Sequence, residues 1–544
     1  MMDDTARTGS HTVLLRDEAA TLRLARDIAD ILKAGDVVAL SGHLGAGKSL
    51  LARAMLRRLA QDPALEAPSP TFTLVQSYDS PRGPLIHADL YRVHSPDELD
   101  DLGLIEDLER AITLVEWPDK AGTRLPAGRR LDIVLEVDPE NPEQGRIATL
   151  SGGVLWRARL ALAIGARRLI EKAGWNDAER SFMLGDASSR AYERLRRESG
   201  ETAILMISPP RPDGPAIRQG KPYSAIAHLA ESVDAFVAMD KGLRSLGFSA
   251  PEIIAADLAT GLLLTEDLGP GLVTDESGPI PERYEAAAHL LAELHRHTLP
   301  SILPVAEGRD HPLADYDREA LTIETELVLD WYAPHIAGVT LPAVTRAEFG
   351  RIWDKLFDEV LAAPATWTLR DYHSPNLIWL PEREGHARLG LIDFQDAVLG
   401  HPAYDLVSLG QDARIDVPAA LELRLLAAYA GARRGDAPDF DLAGFARAYA
   451  ILGAQRNTKI AGIFARLDKR DGKPGYLRHL PRIEAYLRRN LEHPALAELK
   501  GWYETHLPTL FRLPEPTAAI TAPESETGDD EAAPVSAGEA PKAG

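Results

Sequence analysis

The sequence predicts an α/β domain built on a parallel sheet, followed by a two-lobed α+β domain and a disordered acidic tail. Three observations predict this. Short apolar strands alternate with helical patterns through residue 152, the alternation of a parallel sheet. From about Ser181 the order changes to closely spaced strands and then mostly helix. From Glu515 to Gly544 there are seven acids and one lysine, net −6, and too little apolar surface to bury. The resulting division is an α/β domain over 1–152, a linker helix over 153–177, a small lobe over 178–268, a large lobe over 269–512 and the tail over 513–544.

The bulk properties fit such a protein. Of 544 residues, 45% are hydrophobic and 26% charged, ordinary for globular chains. The absence of cysteine excludes disulfides, thiolate catalysis and cysteine-ligated zinc. No apolar run reaches the ~18 residues of a membrane span, and the acidic start "MMDDTARTGS" lacks a signal-peptide core, so a cytoplasmic protein without membrane contact is expected. A net charge of −22 argues against direct nucleic acid binding. The arginines of "RARLALAIGARR" read as the solvated face of a helix.

In the first domain "TLRLARDIADILK" has helical spacing, and "DVVALSG" is a short β-branched strand ending in glycine. The helical "SLLARAMLRRLA" follows, and "TLVQSYD", "PLIHADLY", "ITLVEW" and "LDIVLEV" are further strands. Between the first strand and helix, Gly42-His43-Leu44-Gly45-Ala46-Gly47-Lys48-Ser49 matches G-x-x-x-x-G-K-S/T. Gly42, Gly45 and Gly47 let backbone N–H groups curl around phosphate oxygens. Lys48 reaches the β/γ-phosphates of ATP, and Ser49 ligates Mg²⁺. Hydrolysis also needs a metal carboxylate and a group that positions water. Asp89 and Glu116 end apolar strands and so fall at the ligand-binding edge of the sheet; Asp89 suits the metal and Glu116 the water, and for each an exposed strand-end acid is an equal alternative. Thr71, on a loop bracketed by prolines, suits a γ-phosphate sensor; a plain turn residue is the alternative.

"GHLGAGKS", "SPTFTLVQSY", "HADLYR" and "VEWPD", in that order over about residues 10–152, resemble the TsaE family, the small ATPase of the bacterial machinery that makes N6-threonylcarbamoyladenosine in tRNA. The resemblance implies a P-loop NTPase fold and ATP hydrolysis that drives a partner complex. The partners implied are the protein subunits of the tRNA threonylcarbamoyl-transferase complex, which would bring the tRNA. Lys48, Ser49, Thr71, Asp89 and Glu116 carry over as functional positions, and Trp117 lies in a family motif.

The second domain opens with the strands "RAYERLRR" and "TAILMIS". Its chemistry lies in "LRDYHSPNLIWLPEREGHARLGLIDFQDA". A hairpin over Asn376–Phe394 brings Asn376 and Asp393 together as Mg²⁺ ligands, and Asp371 on the preceding loop accepts a substrate hydroxyl proton. Asp405, at the start of a helix, reads as a cap or catalytic-loop brace. "GDASSRAYERL" is a candidate nucleotide loop, with Arg190 and Arg194 adding charge. "LLLTEDLG" is a candidate hinge whose Glu266 and Leu268 offer backbone hydrogen bonds to adenine.

These motifs, with "GHPAYDLVSL" and "QRNTKI", look like the protein-kinase-like aminoglycoside phosphotransferase and choline kinase fold over about 178–512. More narrowly they resemble the cell-wall sugar kinases (AmgK type), which implies transfer from ATP to the anomeric hydroxyl of an amino sugar such as N-acetylmuramate or N-acetylglucosamine. The kinase strand lysine is absent: "TAILMIS" carries Met206, and Arg190, Arg194 or Lys221 would have to compensate. "QRNTKI", Gln455–Ile460, reads equally as a helix-packing cluster or as a substrate contact. Two other organisations stay open: an ATPase fused to a pseudokinase scaffold, and a single kinase whose P-loop serves a substrate held by the second domain.

Overall fold

The computed structural model describes residues 10–183, 190–210 and 214–511 and divides the chain into two compact units. One runs to Glu324 and resumes over Asp354–Gly453; the other takes Thr325–Trp353 and the chain from Ala454. The tail 513–544 and the glycine-rich part of the candidate nucleotide loop, Gly185–Ser189, lie outside the described residues.

The first unit opens with a seven-stranded sheet of β1 (Ser10–Leu15), β2 (Val37–Gly42), β3 (Val75–Tyr78), β4 (Leu85–Asp89), β5 (Ile112–Glu116), β6 (Arg130–Val137) and β7 (Arg146–Gly152), in the order β1-β7-β6-β2-β5-β4-β3. Only its centre, β6-β2-β5-β4, is parallel; β3, β7 and β1 run antiparallel at the edges. The expectation of a parallel sheet is corrected to a mixed one. The cause is local: β3–β4 and β6–β7 are joined by short turns, and a short turn reverses the chain.

Helix α1 (Glu18–Ile31) begins where Asp17 Oδ1 accepts from Ala20 N–H at 2.7 Å, and it buries Leu24, Ala25 and Ile28. Helix α2 (Lys48–Ala60) buries Leu51, Ala52, Met55 and Leu56 on the same face of the sheet. A second core lies on the opposite face around Ile86, Leu99, Leu104 and Val115.

Helix α3 (Val154–Lys172) is more than a connector. Trp156, Leu160 and Ile164 belong to the first core, while Ala166, Leu169 and Ile170 belong to the core of the next sheet. That sheet is antiparallel: β8 (Glu179–Met183), β9 (Ala191–Arg196), β10 (Thr202–Ile207), β11 (Ile253–Asp257) and β12 (Leu262–Glu266), in the order β11-β12-β10-β9-β8. Gly165 lies where the helix crosses it, and a Cβ there would come within 3.1 Å of Leu262 Cδ1.

The arginines of α3 correct a second expectation. Arg157 and Arg168 face solvent, but Arg159 Nη1 donates to buried Asp36 at 2.6 Å. Arg167 is buried and gives Asp27 Oδ2 bonds of 2.9 and 2.6 Å. Arg180 on β8 reaches the other Asp27 oxygen at 2.5 Å and Glu193 on β9 at 2.7 Å. One carboxylate of α1 thus holds two buried guanidiniums, one from α3 and one from the second sheet.

The rest of this unit is mostly helical, with α4 (Asp234–Ser245) and α5 (Pro281–Leu294) buried along one face. The expected hairpin is present: Leu377–Trp379 pairs antiparallel with Leu389–Leu391, Leu377 opposite Leu391. The second unit is helical. Phe349 packs on Trp502 at 4.5 Å between centroids, and Tyr332 donates to Glu484 at 2.6 Å. Gln455, Arg456, Asn457 and Thr458 are buried in it, with the Thr458 and Tyr503 hydroxyls 2.7 Å apart.

Two candidate phosphate sites

The first site stands at the carboxyl ends of β2, β5 and β4. Gly42, Gly45 and Gly47 have φ of +142, +80 and +103°, a region that side chains avoid. A Cβ on Gly42 would lie 2.4 Å from the Leu135 carbonyl oxygen, so the loop needs glycine there for space as well. A Cβ on Gly45 or Gly47 would meet nothing within 4 Å; these two glycines serve the backbone conformation and leave the concave side open. Gly47 leads directly into α2, so the loop ends on a helix N-terminus.

Lys48 lies within the loop and donates to the Gly42 and His43 carbonyls at 2.8 and 2.9 Å. Its ammonium stands 4.0 Å from the centroid of the Trp117 ring. Burial pushes it below its ordinary pKa, against the opposite pull of Glu116 and Asp89. The sheet register sets Glu116 opposite Leu40 of the loop strand and Asp89 opposite Glu116, so both acids end up at one edge. Their contacts differ. Ser49 Oγ donates to Glu116 Oε2 at 2.8 Å, whereas Asp89 Oδ2 accepts from Ser69 at 2.8 Å and from Thr71 at 3.2 Å. The acid read as the water activator therefore touches the hydroxyl read as the metal ligand, and the acid read as the metal ligand holds the candidate sensor loop.

His87 was not singled out from the sequence. It is fully buried on β4, and its Nε2 lies 3.0 Å from Glu116 Oε1. Every residue of that strand is buried, so no alternation marks the histidine as inward.

The second site is built on the hairpin. Ile392 N–H bonds the Asn376 carbonyl at 3.1 Å, which carries Asp393 to the side of Asn376. Asn376 Nδ2 donates to the Asp371 backbone carbonyl at 2.9 Å, fixing the amide on the loop of Asp371. Burial and then neighbouring Asp371 raise the carboxyl pKa of Asp393. Arg190 Nη1 lies 3.4 Å from Asp393 Oδ1, and Gln395 Nε2 donates to the same oxygen at 2.8 Å. Asp393 has φ +60° and Arg370 has φ +67°, so both turns beside the site are left-handed.

The loop is braced from below. Asp405 accepts from Leu369 N–H at 2.6 Å and from Arg370 N–H at 2.8 Å, and Ser408 donates to the Arg370 carbonyl at 3.0 Å. Arg370 itself meets Glu324 at 2.5 Å, both side chains nearly without solvent contact. Asp412 accepts from Ser374 N–H at 2.9 Å, a brace that the sequence does not announce.

Of the three cations considered in place of the missing lysine, Arg190 alone faces the acids of the hairpin. Arg194 meets Asp267 of the hinge at 2.8 Å, and Lys221 meets Glu319 at 3.3 Å. Met206 is buried in β10. In the hinge, Glu266 ends β12 and its carboxylate accepts from Arg383 at 2.6 Å; Leu268 comes next to Gly390 of the hairpin.

The donor sets suit Mg²⁺. Each is all-oxygen, and the carboxylates of the second crowd one another, a repulsion that a divalent cation relieves.

The family model described as "Threonylcarbamoyl adenosine biosynthesis protein TsaE" matches residues 15–146, and the "Phosphotransferase enzyme family" model matches 180–440. An N-acetylmuramate/N-acetylglucosamine kinase of Caulobacter vibrioides is 42% identical over 355 residues, 62% of this chain and 95% of that protein. One from Pseudomonas putida is 33% identical over 58% of this chain and 84% of its own length. The tRNA threonylcarbamoyladenosine biosynthesis protein TsaE of Aquifex aeolicus is 37% identical over 25% of this chain and 93% of that protein.

Proposed function

The chain belongs to the TsaE family through its first domain and to the N-acetylmuramate/N-acetylglucosamine kinase family through its second, and from that membership we propose that it is bifunctional. The first domain hydrolyses ATP in support of tRNA N6-threonylcarbamoyladenosine formation, working on the protein subunits of the transferase complex. The second phosphorylates the anomeric hydroxyl of N-acetylmuramate or N-acetylglucosamine. The observation that carries the reading is the presence of two separate sets of phosphate-site residues, one at the carboxyl edge of the first sheet and one on the hairpin of the second domain.

At the first site the loop amides and Lys48 hold the β/γ-phosphates. The Ser49–Glu116 contact favours giving Glu116 a place on the metal side, with Asp89 tying Ser69 and Thr71 to the sheet edge. At the second, Asp371 takes the proton of the sugar hydroxyl as the γ-phosphoryl moves in line. Asn376 and Asp393 hold Mg²⁺, and Arg190 supplies the cation that the strand lacks. Bound Mg²⁺ neutralises phosphate charge at either site. No side chain of the second site reads as a covalent phosphate acceptor, so transfer is direct.

The test uses the full chain. Lys48→Ala should abolish ATP hydrolysis measured without sugar and leave ATP-dependent N-acetylmuramate phosphorylation within about twofold. Asp371→Asn should do the reverse, lowering sugar phosphorylation by about 10²-fold or more. Loss of sugar phosphorylation in Lys48→Ala would favour the single-kinase organisation. No turnover of any amino sugar by the unaltered protein would favour the scaffold.

A further inference from the structure

A cavity of about 910 Å³ opens at the foot of the large lobe, and no residue assigned to ATP, Mg²⁺ or sugar lines it. It lies by the strand Thr366–Thr368, at the end away from the catalytic loop: Thr366 and His401 line it, and the chain runs on through Thr368 to Asp371. One wall is aromatic. Tyr429 and Phe445 stack with centroids 4.9 Å apart at 16°, and Phe440 packs 5.4 Å from Phe445.

The charges in it are unevenly committed. Glu359 is paired with Arg447 at 3.3 Å, and Asp441 Oδ1 accepts from Gly444 N–H at 2.9 Å at the start of the helix Leu442–Asp471. Arg433 has no carboxylate within ion-pairing distance among the described residues, and its half-buried guanidinium has an Nε with no hydrogen-bond partner. Three imidazoles line the cavity. Burial pushes His295 down to about 3 and His401 down to about 4, and Arg433 adds to the depression at His295; His297 lies 3.8 Å from Glu293. His295 Nδ1 lies 2.8 Å from the Tyr429 hydroxyl. The cavity therefore joins a stacked aromatic wall, neutral polar groups and one unspent cation.

We propose that this cavity binds a small acid carried on an aromatic ring, the ring against Phe440 and Phe445, which Tyr429 backs from below, and the carboxylate or phosphate on Arg433. An unpaired guanidinium selects a planar carboxylate or a phosphate, and the stacked rings select a flat apolar body.

The experiment titrates the full chain with phenyl phosphate and with benzoate by calorimetry, both nucleotide sites held by a non-hydrolysable ATP analogue and Mg²⁺. Saturable binding of one ligand per chain is expected for at least one of them. The comparison of the two tells a phosphate from a carboxylate preference. Arg433→Gln should weaken it about tenfold or more. Ala443→Trp, at the exposed mouth, should block it, and Asp371→Asn should leave it unchanged. Benzyl alcohol should bind at least about tenfold more weakly, for want of the charge. No saturation by either acid up to about 10 mM, or binding that Arg433→Gln leaves within about twofold, overturns the proposal.

Discussion

Asp240 on α4 is 2% exposed, and its Oδ1 has no hydrogen-bond partner. Burial pushes its carboxyl up to about 7, against the pull of Arg244 and Lys241. A carboxyl whose pKa is raised by folding holds its proton in the native state at pH values where the unfolded chain has lost it. Its contribution to stability is therefore full below about pH 4 and is lost as pH rises through about 7. Asp240→Asn keeps the shape and removes the charge. It should stabilise the protein by about 2–4 kcal/mol at pH 8 and change little at pH 4, read as the difference in melting temperature between the two. Asp405 gives a prediction of opposite sign. Its two oxygens accept from two buried N–H groups beside the left-handed Arg370. Asp405→Ala leaves both unmet, at about 1–3 kcal/mol each, and frees the loop that carries Asp371. Sugar phosphorylation should fall at least about tenfold in kcat, with nucleotide affinity little changed. A variant with unaltered kcat would remove Asp405 from the role of brace. The nearness of Asn376 and Asp393 was legible in the sequence because pairing the hairpin strands sets their ends side by side. His87 and Asp412 were not, because their partners, Glu116 and Ser374, are 29 and 38 residues away in sequence.

Single elements show where sequence patterns run out. The strand–helix alternation predicts the centre of the first sheet, since a buried parallel strand needs a continuous apolar run. The edge strand β1 pairs with β7 from the other end of the first domain, Ser10 opposite Ser151, and nothing local in "SHTVLL" states that partner. Helix α3 is a sharper case. Its arginines have helical spacing with a polar look, and that spacing gives no sign that Arg167 is buried. The reason is Asp27, 140 residues earlier, which sits among the buried residues of α1. Removing one partner of a buried ionic cluster costs far more than an exposed pair contributes, because the other charges stay behind. Asp27→Ala leaves Arg167 and Arg180 buried, with Glu193 the acid still held by Arg180. It should destabilise the folded chain by about 3–5 kcal/mol. Asp27→Ala with Arg167→Met, Arg180→Met and Glu193→Gln, which removes the charges together, should recover most of that loss. Thermal melts of the two variants decide it: equal melting temperatures would mean that α1 is not held by this cluster.

At the scale of the molecule, α3 decides whether the two halves of the first unit can be separated. A chain of two families suggests a cut between them, and the linker 153–177 is where the sequence places it. The structure gives that segment two cores. Trp156, Leu160 and Ile164 close the first domain; Ala166, Leu169, Ile170 and Trp175 cover Leu195, Leu205, Leu262 and Leu264 of the second. A fragment starting at 178 loses that cover. Leu169, Ile170 and Trp175 are each worth roughly 1.5–3 kcal/mol of burial, so about 5 kcal/mol or more is at stake. A domain holds only about 5–15 kcal/mol in total. The fragment 178–544 should therefore be aggregation-prone or melt well below the full chain. A fragment 153–544 keeps the second core and should stay soluble, while exposing Trp156 and losing Asp27 as the partner of Arg167 and Arg180. Its melting temperature should fall between those of 178–544 and the full chain. If 178–544 melts with the full chain, α3 is a tether and the second domain is stable without it. If the ordering holds, the helix is a shared structural member. In that case an alteration at Asp27 or Leu169, neither of which belongs to either candidate site, should lower the heat resistance of ATP hydrolysis and of sugar phosphorylation together.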